Sequence, residues 1–282
     1  MNGKCERFPE KQEIPARLVP LDVLYLKKRY QKPKSKTSTI IPMKLAHSPL
    51  ITALSLSIIL ASVSVAKQSE ESFKPENGSQ GYRYLLHLPK GSEKKGAKEK
   101  WPLLVFLHGR GERGDNLRLV KKHGPAKLAE VREMKFIVVS PQCPTTDLWW
   151  KPSIVAGLVD SVIKKYSVDK DRVYLTGLSQ GGFGTWATAA EYPKKFAAVA
   201  PICGGGKVSW AHNYGKLPIW NFHGTRDKAV PVVLSHKMVK AVKEVGGDVT
   251  FTEYPDKGHD CWTATYDNPK LYEWLLSHTR KP

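Results

Sequence analysis

The sequence has 282 residues, of which 41% are hydrophobic, and it carries 45 Lys and Arg against 26 Asp and Glu, a formal net charge of +19. This length and apolar content suffice for one large buried core, so a single folded domain is expected. The basic balance can attract nucleic acid, anionic polymers or membrane surfaces, but net charge bears on steering and solubility rather than on fold. No nucleic-acid-binding motif accompanies it, so no nucleic-acid partner is expected.

The first 66 residues differ in composition from the rest. Residues 1–42 are rich in Lys, Arg and Pro without an apolar period, and Met43-Lys44 then leads into an apolar run over 50–65 that only Ser and Thr interrupt. A basic start, an apolar stretch shorter than the roughly 20 residues of a spanning helix, and the small residues Ser64-Val65-Ala66 are typical of a secretory signal peptide. We therefore expect a signal peptide over 43–66 that is cleaved after Ala66, and a periplasmic or secreted protein with no stable membrane span.

Because a signal peptide stands at the start of a protein, residues 1–42 are expected to be a disordered upstream extension of the reading frame. An uncleaved signal anchor and a buried helix are the alternatives for the apolar run. Residues 67–282 then form the folded domain.

Three cysteines fall within residues 67–282: Cys143, Cys203 and Cys261. An odd number leaves at least one thiol unpaired, and the sequence does not choose among the three pairings that an exported chain permits. None of them has metal-ligand spacing, so no metal site is expected.

Apolar runs alternate with helix-like segments along this domain, and this rhythm predicts a mainly parallel sheet. The expected strands are 82–88, 103–107, 136–140, 173–176, 197–202, 219–222 and 249–254. The expected helices are 154–166, 180–192, 232–245 and 269–278. Only about fifteen residues separate the strand 197–202 from the next strand, so no large cap domain is expected there.

Between one strand and the following helix stands Gly177-Leu178-Ser179-Gln180-Gly181, a Gly-x-Ser-x-Gly sequence. The turn from strand to helix in such a motif is so sharp that the serine is strained and the glycines leave no room for side chains. The pattern predicts that Ser179 is a nucleophile.

A serine nucleophile needs a base to take its proton and an acid to orient that base. Asp227 follows the strand 219–222 and His259 follows the strand 249–254, so both should lie at the same sheet edge as Ser179. Asp256 and Asp260 compete for the role of the acid, but each lies too close in sequence to His259 to come from a different strand end. We therefore predict Ser179, Asp227 and His259 as a catalytic triad.

The loop after the strand 103–107, His108 to Gly114, contains three glycines that let its backbone approach a substrate. We expect the backbone N–H groups of Arg110 and Gln180 to form an oxyanion hole. Trp149, Trp150 and Trp262 follow strand ends at the same edge and are expected to line the substrate pocket. The other histidines of this region, His108 and His223, stand in His-Gly turns and are interpreted as loop-shaping residues.

These motifs together resemble the α/β-hydrolases, in particular the dienelactone hydrolase and prolyl oligopeptidase catalytic-domain type. More narrowly, the chain resembles exported phospholipase/carboxylesterases and polyhydroxybutyrate depolymerase-like proteins. The matching pieces are Leu107 to Asn116, Ser140 to Pro144, Gly177 to Gly182, His223 to Asp227 and Gly258 to Trp262. The resemblance implies an α/β-hydrolase fold with a mainly parallel central sheet, helices on both faces and no large cap domain.

The resemblance also implies a serine esterase that cleaves small or polymer-linked carboxylic esters through an acyl-enzyme, without a metal or organic cofactor. Two alternatives stay open: a serine peptidase of the prolyl oligopeptidase type, although a propeller domain is missing, and a non-catalytic basic surface-binding protein. The natural ester and the oligomeric state are not determined by the sequence.

Overall fold

The structure is a computed structural model that describes residues 68–92 and 99–280. The expected signal peptide, its cleavage after Ala66 and the upstream extension therefore lie outside the described residues. The strands of the described part are β1 Ser69–Ser72, β2 Arg83–His87, β3 Trp101–Leu107, β4 Ile137–Gln142, β5 Val168–Leu178, β6 Ala198–Ile202, β7 Ile219–Gly224 and β8 Val249–Tyr254.

These strands form one sheet in the order β1-β2-β4-β3-β5-β6-β7-β8. Strands β3 to β8 pair in parallel, whereas β1 and β2 run antiparallel at one edge. Strand β1 was not predicted, because its sequence, Ser-Glu-Glu-Ser, has no apolar residue. An edge strand with mostly exposed side chains does not need one.

Helices cover both faces of this sheet, as expected. Their bounds are α1 Gly124–Leu128, α2 Pro152–Lys165, α3 Gln180–Glu191, α4 Val233–Glu244, α5 Trp262–Asp267 and α6 Pro269–Leu276. Apolar residues of α2, α3 and α4 share one buried cluster, and those of α1, α5 and α6 share the other. The sequence did not predict α1 and α5, which are too short to show a helical period.

The central strands are buried on both faces. On β3, Leu103, Val105 and Leu107 belong to the cluster on the α3 face, while Leu104 and Phe106 belong to the opposite cluster. This alternation follows from the two-residue period of a strand. It explains why the parallel strands are continuous apolar runs in the sequence.

The carboxyl ends of the parallel strands meet at one edge of the sheet. Between β6 and β7 the chain forms only a short 3-10 segment, Val208–Tyr214, so the described residues place no cap domain at that connection. None of the described helices is both long enough and apolar enough to cross a membrane.

Candidate active site

Ser179 occupies the sharp turn between β5 and α3. Its φ is +52° and its ψ is −118°; among the described non-glycine residues, Cys203 alone shares a positive φ. A Cβ added to Gly177 would come within 2.3 Å of the Gly181 carbonyl oxygen. The motif therefore needs glycine because backbone fills the space on the inside of the turn. The strained conformation presents the serine at the sheet edge, as the sequence predicted.

The structure brings the three predicted catalytic side chains together. Nε2 of His259 lies 2.9 Å from Oγ of Ser179, and Nδ1 of His259 lies 2.7 Å from Oδ2 of Asp227. Because the carboxylate only accepts, Nδ1 carries the proton and Nε2 is free to accept the hydroxyl proton of Ser179. The arrangement has the geometry of nucleophile, general base and orienting acid.

Asp227 is held as an ionised carboxylate. Its Oδ1 accepts hydrogen bonds from the N–H groups of Ala229, at 2.8 Å, and Val230, at 2.9 Å. Burial acts to raise the pKa of Asp227, but the hydrogen bonds from His259, Val230 and Ala229 outweigh it and lower the pKa below its usual value. A charged acid next to Nδ1 stabilises the imidazolium that forms when His259 takes a proton.

The two competing acids lie in other interactions. Asp256 is exposed and forms an ion pair of 2.9 Å with Arg226. Asp260 accepts a hydrogen bond from the N–H of Thr263 at 3.1 Å, at the start of α5. Neither is bonded to His259 in the structure, which supports Asp227 as the acid.

The predicted oxyanion groups lie on either side of Ser179. Arg110 begins a 3-10 turn directly after Gly109, and a Cβ added to Gly109 would lie 3.6 Å from Cβ of Ser179. Gln180 is the first residue of α3, where backbone N–H groups have no partner within the helix. The N–H groups of Arg110 and Gln180 thus remain the predicted stabilisers of an oxyanion.

His108 forms hydrogen bonds that hold the loop containing Arg110. Its Nδ1 donates to the carbonyl of Gly109 at 2.6 Å and its Nε2 accepts from the N–H of Cys143 at 3.0 Å. Only the neutral ring makes both bonds. Burial lowers the pKa of His108 from 6.5 to about 4, with Arg113 acting in the same direction. The interpretation of His108 as a loop-shaping residue agrees with these contacts.

The three predicted substrate-binding tryptophans occupy different environments. Trp149 is 57% exposed and contacts Phe183, on the first turn of α3, edge to face with ring centroids 5.5 Å apart. Trp262 meets the ring of His259 edge to face at 5.1 Å. Trp262 therefore borders the triad, whereas Trp149 contacts the first turn of the helix that follows Ser179.

Trp150 is only 4% exposed, and its Nε1 donates to the carbonyl of His108 at 3.3 Å. It packs beneath the oxyanion loop and has almost no surface to offer a substrate. The expectation that Trp150 lines the substrate pocket is therefore not met. The sequence did not distinguish this inward-facing tryptophan from its outward-facing neighbour, Trp149.

Two residues that the sequence did not assign to the site lie against it. His223 is buried with Nε2 3.2 Å from Oδ2 of Asp227; its position four residues before Asp227 was the available signal. The Sγ atom of Cys203 accepts a hydrogen bond from the N–H of Ser179 at 3.3 Å. Cys143, Cys203 and Cys261 are all buried free thiols.

The cluster of Cys203, Asp227 and His259 could also supply metal ligands, since one ligand atom from each lies within 4.8 Å of the others. The hydrogen bonds of the triad already account for Asp227 and His259.

A cavity of about 1080 Å³ lies elsewhere, at the amino ends of β6, β7 and β8, where Ala197, Pro218 and Asp248 line it. It contains none of the triad residues.

Comparison with known proteins gives a family context for this geometry. Residues 153–268 match the model of the phospholipase/carboxylesterase family. The chain is 31% identical over 196 residues to poly(3-hydroxyalkanoate) depolymerase C of Paucimonas lemoignei, covering 64% of this chain and 43% of that protein. It is 30% identical over 187 residues to a bifunctional acetylxylan esterase/xylanase of Neocallimastix patriciarum, covering 61% of this chain and 26% of that protein. The chain thus spans less than half the length of either curated relative.

Solved structures agree with this relationship. A thermostable esterase superposes with a TM-score of 0.64 at 32% identity, over 77% of this chain and 64% of that one. A dienelactone hydrolase from Klebsiella pneumoniae superposes with a TM-score of 0.54 at 17% identity, over 75% of this chain and 96% of that one, a likeness of fold. The chain therefore has the α/β-hydrolase fold and is similar to carboxylesterases of that fold.

Proposed function

We propose that this protein hydrolyses carboxylic esters through a covalent acyl-enzyme on Ser179. The observation that carries the proposal is the unbroken chain of hydrogen bonds from Ser179 Oγ through His259 to Asp227, with lengths of 2.9 and 2.7 Å. A serine hydroxyl is a weak nucleophile until a base of this kind removes its proton.

The reaction takes two half-steps. His259 accepts the proton of Ser179 as Oγ attacks the ester carbonyl, and the N–H groups of Arg110 and Gln180 stabilise the oxyanion. The imidazolium then protonates the leaving alcohol, and an acyl-enzyme remains. In the second half-step His259 deprotonates a water that attacks this acyl group, and the carboxylic acid and free serine are released.

The substrate we propose is an ester displayed on an accessible molecule, such as an acetylated sugar or a polyester. The similarity to a poly(3-hydroxyalkanoate) depolymerase and to an acetylxylan esterase/xylanase supports this class. The exposed side chains of Leu148, at 77%, and Trp149, at 57%, would meet such a chain beside the nucleophile.

Two measurements test the chemistry. A fluorophosphonate probe should label the wild type and fail to label Ser179→Ala, and the same variant should lose hydrolysis of p-nitrophenyl acetate. Ser277→Ala changes an exposed serine far from the Gly-x-Ser-x-Gly motif in the sequence. It is the matched control and should retain both activities. Labelling or ester hydrolysis that survives Ser179→Ala contradicts the proposal.

A substrate panel tests the class of ester. Acetylated xylo-oligosaccharides, a poly(3-hydroxybutyrate) film, p-nitrophenyl acetate and a peptide p-nitroanilide should be compared at equal enzyme concentration. We expect turnover of the esters and none of the anilide. Faster cleavage of the anilide would favour a peptidase.

We also propose that the protein is exported after cleavage behind Ala66. The composition of 43–66 supports this, and so does a relationship of 25% identity over 145 residues to an uncharacterized secreted protein of Arthroderma benhamiae. Mass spectrometry of protein recovered from outside the cell should find Lys67 at its N-terminus. Recovery of the uncleaved chain in a membrane fraction would identify a signal anchor.

A further inference from the structure

A second histidine lies against the catalytic acid. His223, the fifth residue of β7, has a fully buried side chain, and its Nε2 lies 3.2 Å from Oδ2 of Asp227 and 2.9 Å from the carbonyl oxygen of Val230. The same Oδ2 accepts the hydrogen bond from His259. One carboxylate oxygen is therefore shared between the base and a second imidazole.

The partners of His223 fix the position of its proton. Asp227 is a carboxylate and the Val230 carbonyl only accepts, so Nε2 must carry a hydrogen. Nδ1 lies 2.7 Å from the hydroxyl of Ser235 on α4, which donates to it when the ring is neutral. Burial lowers the pKa of His223, which outweighs the opposing effect of the hydrogen bonds to Val230 and Asp227 and favours the neutral ring.

Ser235 connects this pair to the nucleophile side of the site. Its Oγ also lies 3.2 Å from the carbonyl oxygen of Gly204, which receives no proton from Ser235 while the hydroxyl donates to His223. Gly204 abuts the first turn of α3 so closely that an added Cβ would lie 2.6 Å from the carbonyl carbon of Gly182. His223 and Ser235 thus lie between the loop of the catalytic acid and the segment that packs on the first turn of α3.

The Asp227 carboxylate has few other restraints on Oδ2. Its Oδ1 is held by the N–H groups of Ala229 and Val230, whereas Oδ2 receives only the two imidazoles among the contacts of the described residues. Loss of the N–H of His223 would leave His259, the group that must be oriented, as the remaining restraint on that oxygen.

We propose that His223 is a positioning residue for ester hydrolysis: its Nε2–H holds Oδ2 of Asp227 in line with His259, and Ser235 holds the His223 ring. This inference rests on the proposed function, because it assumes that the triad performs the reaction. A histidine that only filled the core could be replaced by an apolar residue of similar size with loss of stability alone.

The test compares His223→Leu, which removes the N–H, with His223→Gln, whose amide can donate from a similar place. We expect His223→Leu to lower kcat by about 10-fold to 100-fold, as outer partners of an orienting group commonly do, with KM changed by less than about twofold. His223→Gln should restore most of kcat. His236→Gln, an exposed neighbour of Ser235 that pairs with Glu253, is the control and should match the wild type.

A spectroscopic readout separates positioning from packing. The far-downfield proton resonance of the bond between His259 and Asp227 should weaken or move upfield in His223→Leu and return in His223→Gln. Ser235→Ala, a smaller change at the other ring nitrogen, should give a partial loss of kcat and the same direction of shift. It carries the test if the leucine variant does not fold.

The proposal is overturned if folded His223→Leu, or in its place Ser235→Ala, keeps both the kcat and the resonance of the wild type. It is also overturned if the glutamine variant loses as much kcat as the leucine variant while remaining folded. Ester hydrolysis by the wild type in the same assay tests the proposed function separately, so failure of one is distinguishable from failure of the other.

Discussion

The carbonyl oxygen of Leu107, at the end of β3, occupies the place where a side chain on Gly181 would stand: an added Cβ would lie 1.9 Å from that oxygen. The contact is between two backbones, so neither side can yield by changing a rotamer. We predict that Gly181→Ala displaces the start of α3 from β3, lowers the free energy of unfolding by about 3 kcal/mol and abolishes esterase activity.

Urea unfolding and p-nitrophenyl acetate hydrolysis measure the two effects. Gly111→Ala is the matched control, because an added Cβ there meets nothing within 4 Å and the residue lies in the neighbouring oxyanion loop. It should unfold like the wild type. Equal stability of the two variants would show that the first turn of α3 is not confined as described.

The orienting acid provides a second prediction. In Asp227→Asn, the NH2 group of the new side chain must face either the N–H groups of Ala229 and Val230 or the Nδ1–H of His259. Either placement sets one hydrogen-bond donor against another. We expect kcat to fall by about 10⁴-fold, as in other triads that lose the carboxylate charge, with the fold retained.

The competing acids serve as controls for this measurement. Asp256→Asn changes a residue paired with Arg226, and Asp260→Asn changes one that caps α5. Each should leave kcat within about threefold of the wild type, as expected of surface groups outside the triad. A loss of several orders of magnitude in either would transfer the role of the acid.

The neutral state of His108 predicts how stability depends on pH. In the folded protein burial holds its pKa at about 4, whereas the unfolded chain takes up a proton near 6.5. The stability that the protein gains from keeping His108 neutral is therefore fully present above about pH 6.5 and is lost as the pH falls toward 4. Over that interval it corresponds to about 3 kcal/mol of the free energy of unfolding.

Urea unfolding at several pH values between 7.5 and 4.5 checks this dependence. His108→Gln removes the titrating ring, so its stability should fall less steeply with acid than that of the wild type. Parallel curves for the wild type and His108→Gln would contradict a buried neutral His108.

Trp149 provides the test of substrate contact. Its exposed ring beside Phe183 is expected to pack on a bulky acyl group, so Trp149→Ala should raise KM for an aryl benzoate about fivefold, equivalent to about 1 kcal/mol, and leave KM for the acetate nearly unchanged. Trp210→Ala, on the connection between β6 and β7, is the control. Equal effects on both esters would remove Trp149 from the acyl site.

The fold, and the positions that bring Ser179, Asp227 and His259 together, were accessible from the sequence because their signals are local. Ser179, Asp227 and His259 each follow an apolar run, and parallel strands place such positions at one sheet edge whatever the details of packing. Predicted strands such as 219–222 end within two residues of the observed bounds. The order of the three residues along the chain then assigned their roles.

Other features depended on contacts that no local pattern encodes. Trp149 and Trp150 are adjacent in sequence, yet one is exposed and the other is covered by Tyr82 and His108. His223 was interpreted as part of a turn. Its bond to Ser235 joins a strand to a helix twelve residues away, and a local pattern does not reveal such a bond. Strand β1 carries no apolar period that would predict it. Its pairing with β2 is what defines it as a strand.

Gln180 has a position whose effect reaches beyond its own contacts. Its side-chain amide donates to the carbonyl of Leu148, in the loop that presents Trp149, while its backbone N–H stands next to the nucleophile. Gln180 thus connects the loop that carries Trp149 to the N–H that would stabilise the oxyanion. A shift of this loop would therefore be passed through a single side chain to the backbone N–H beside Ser179.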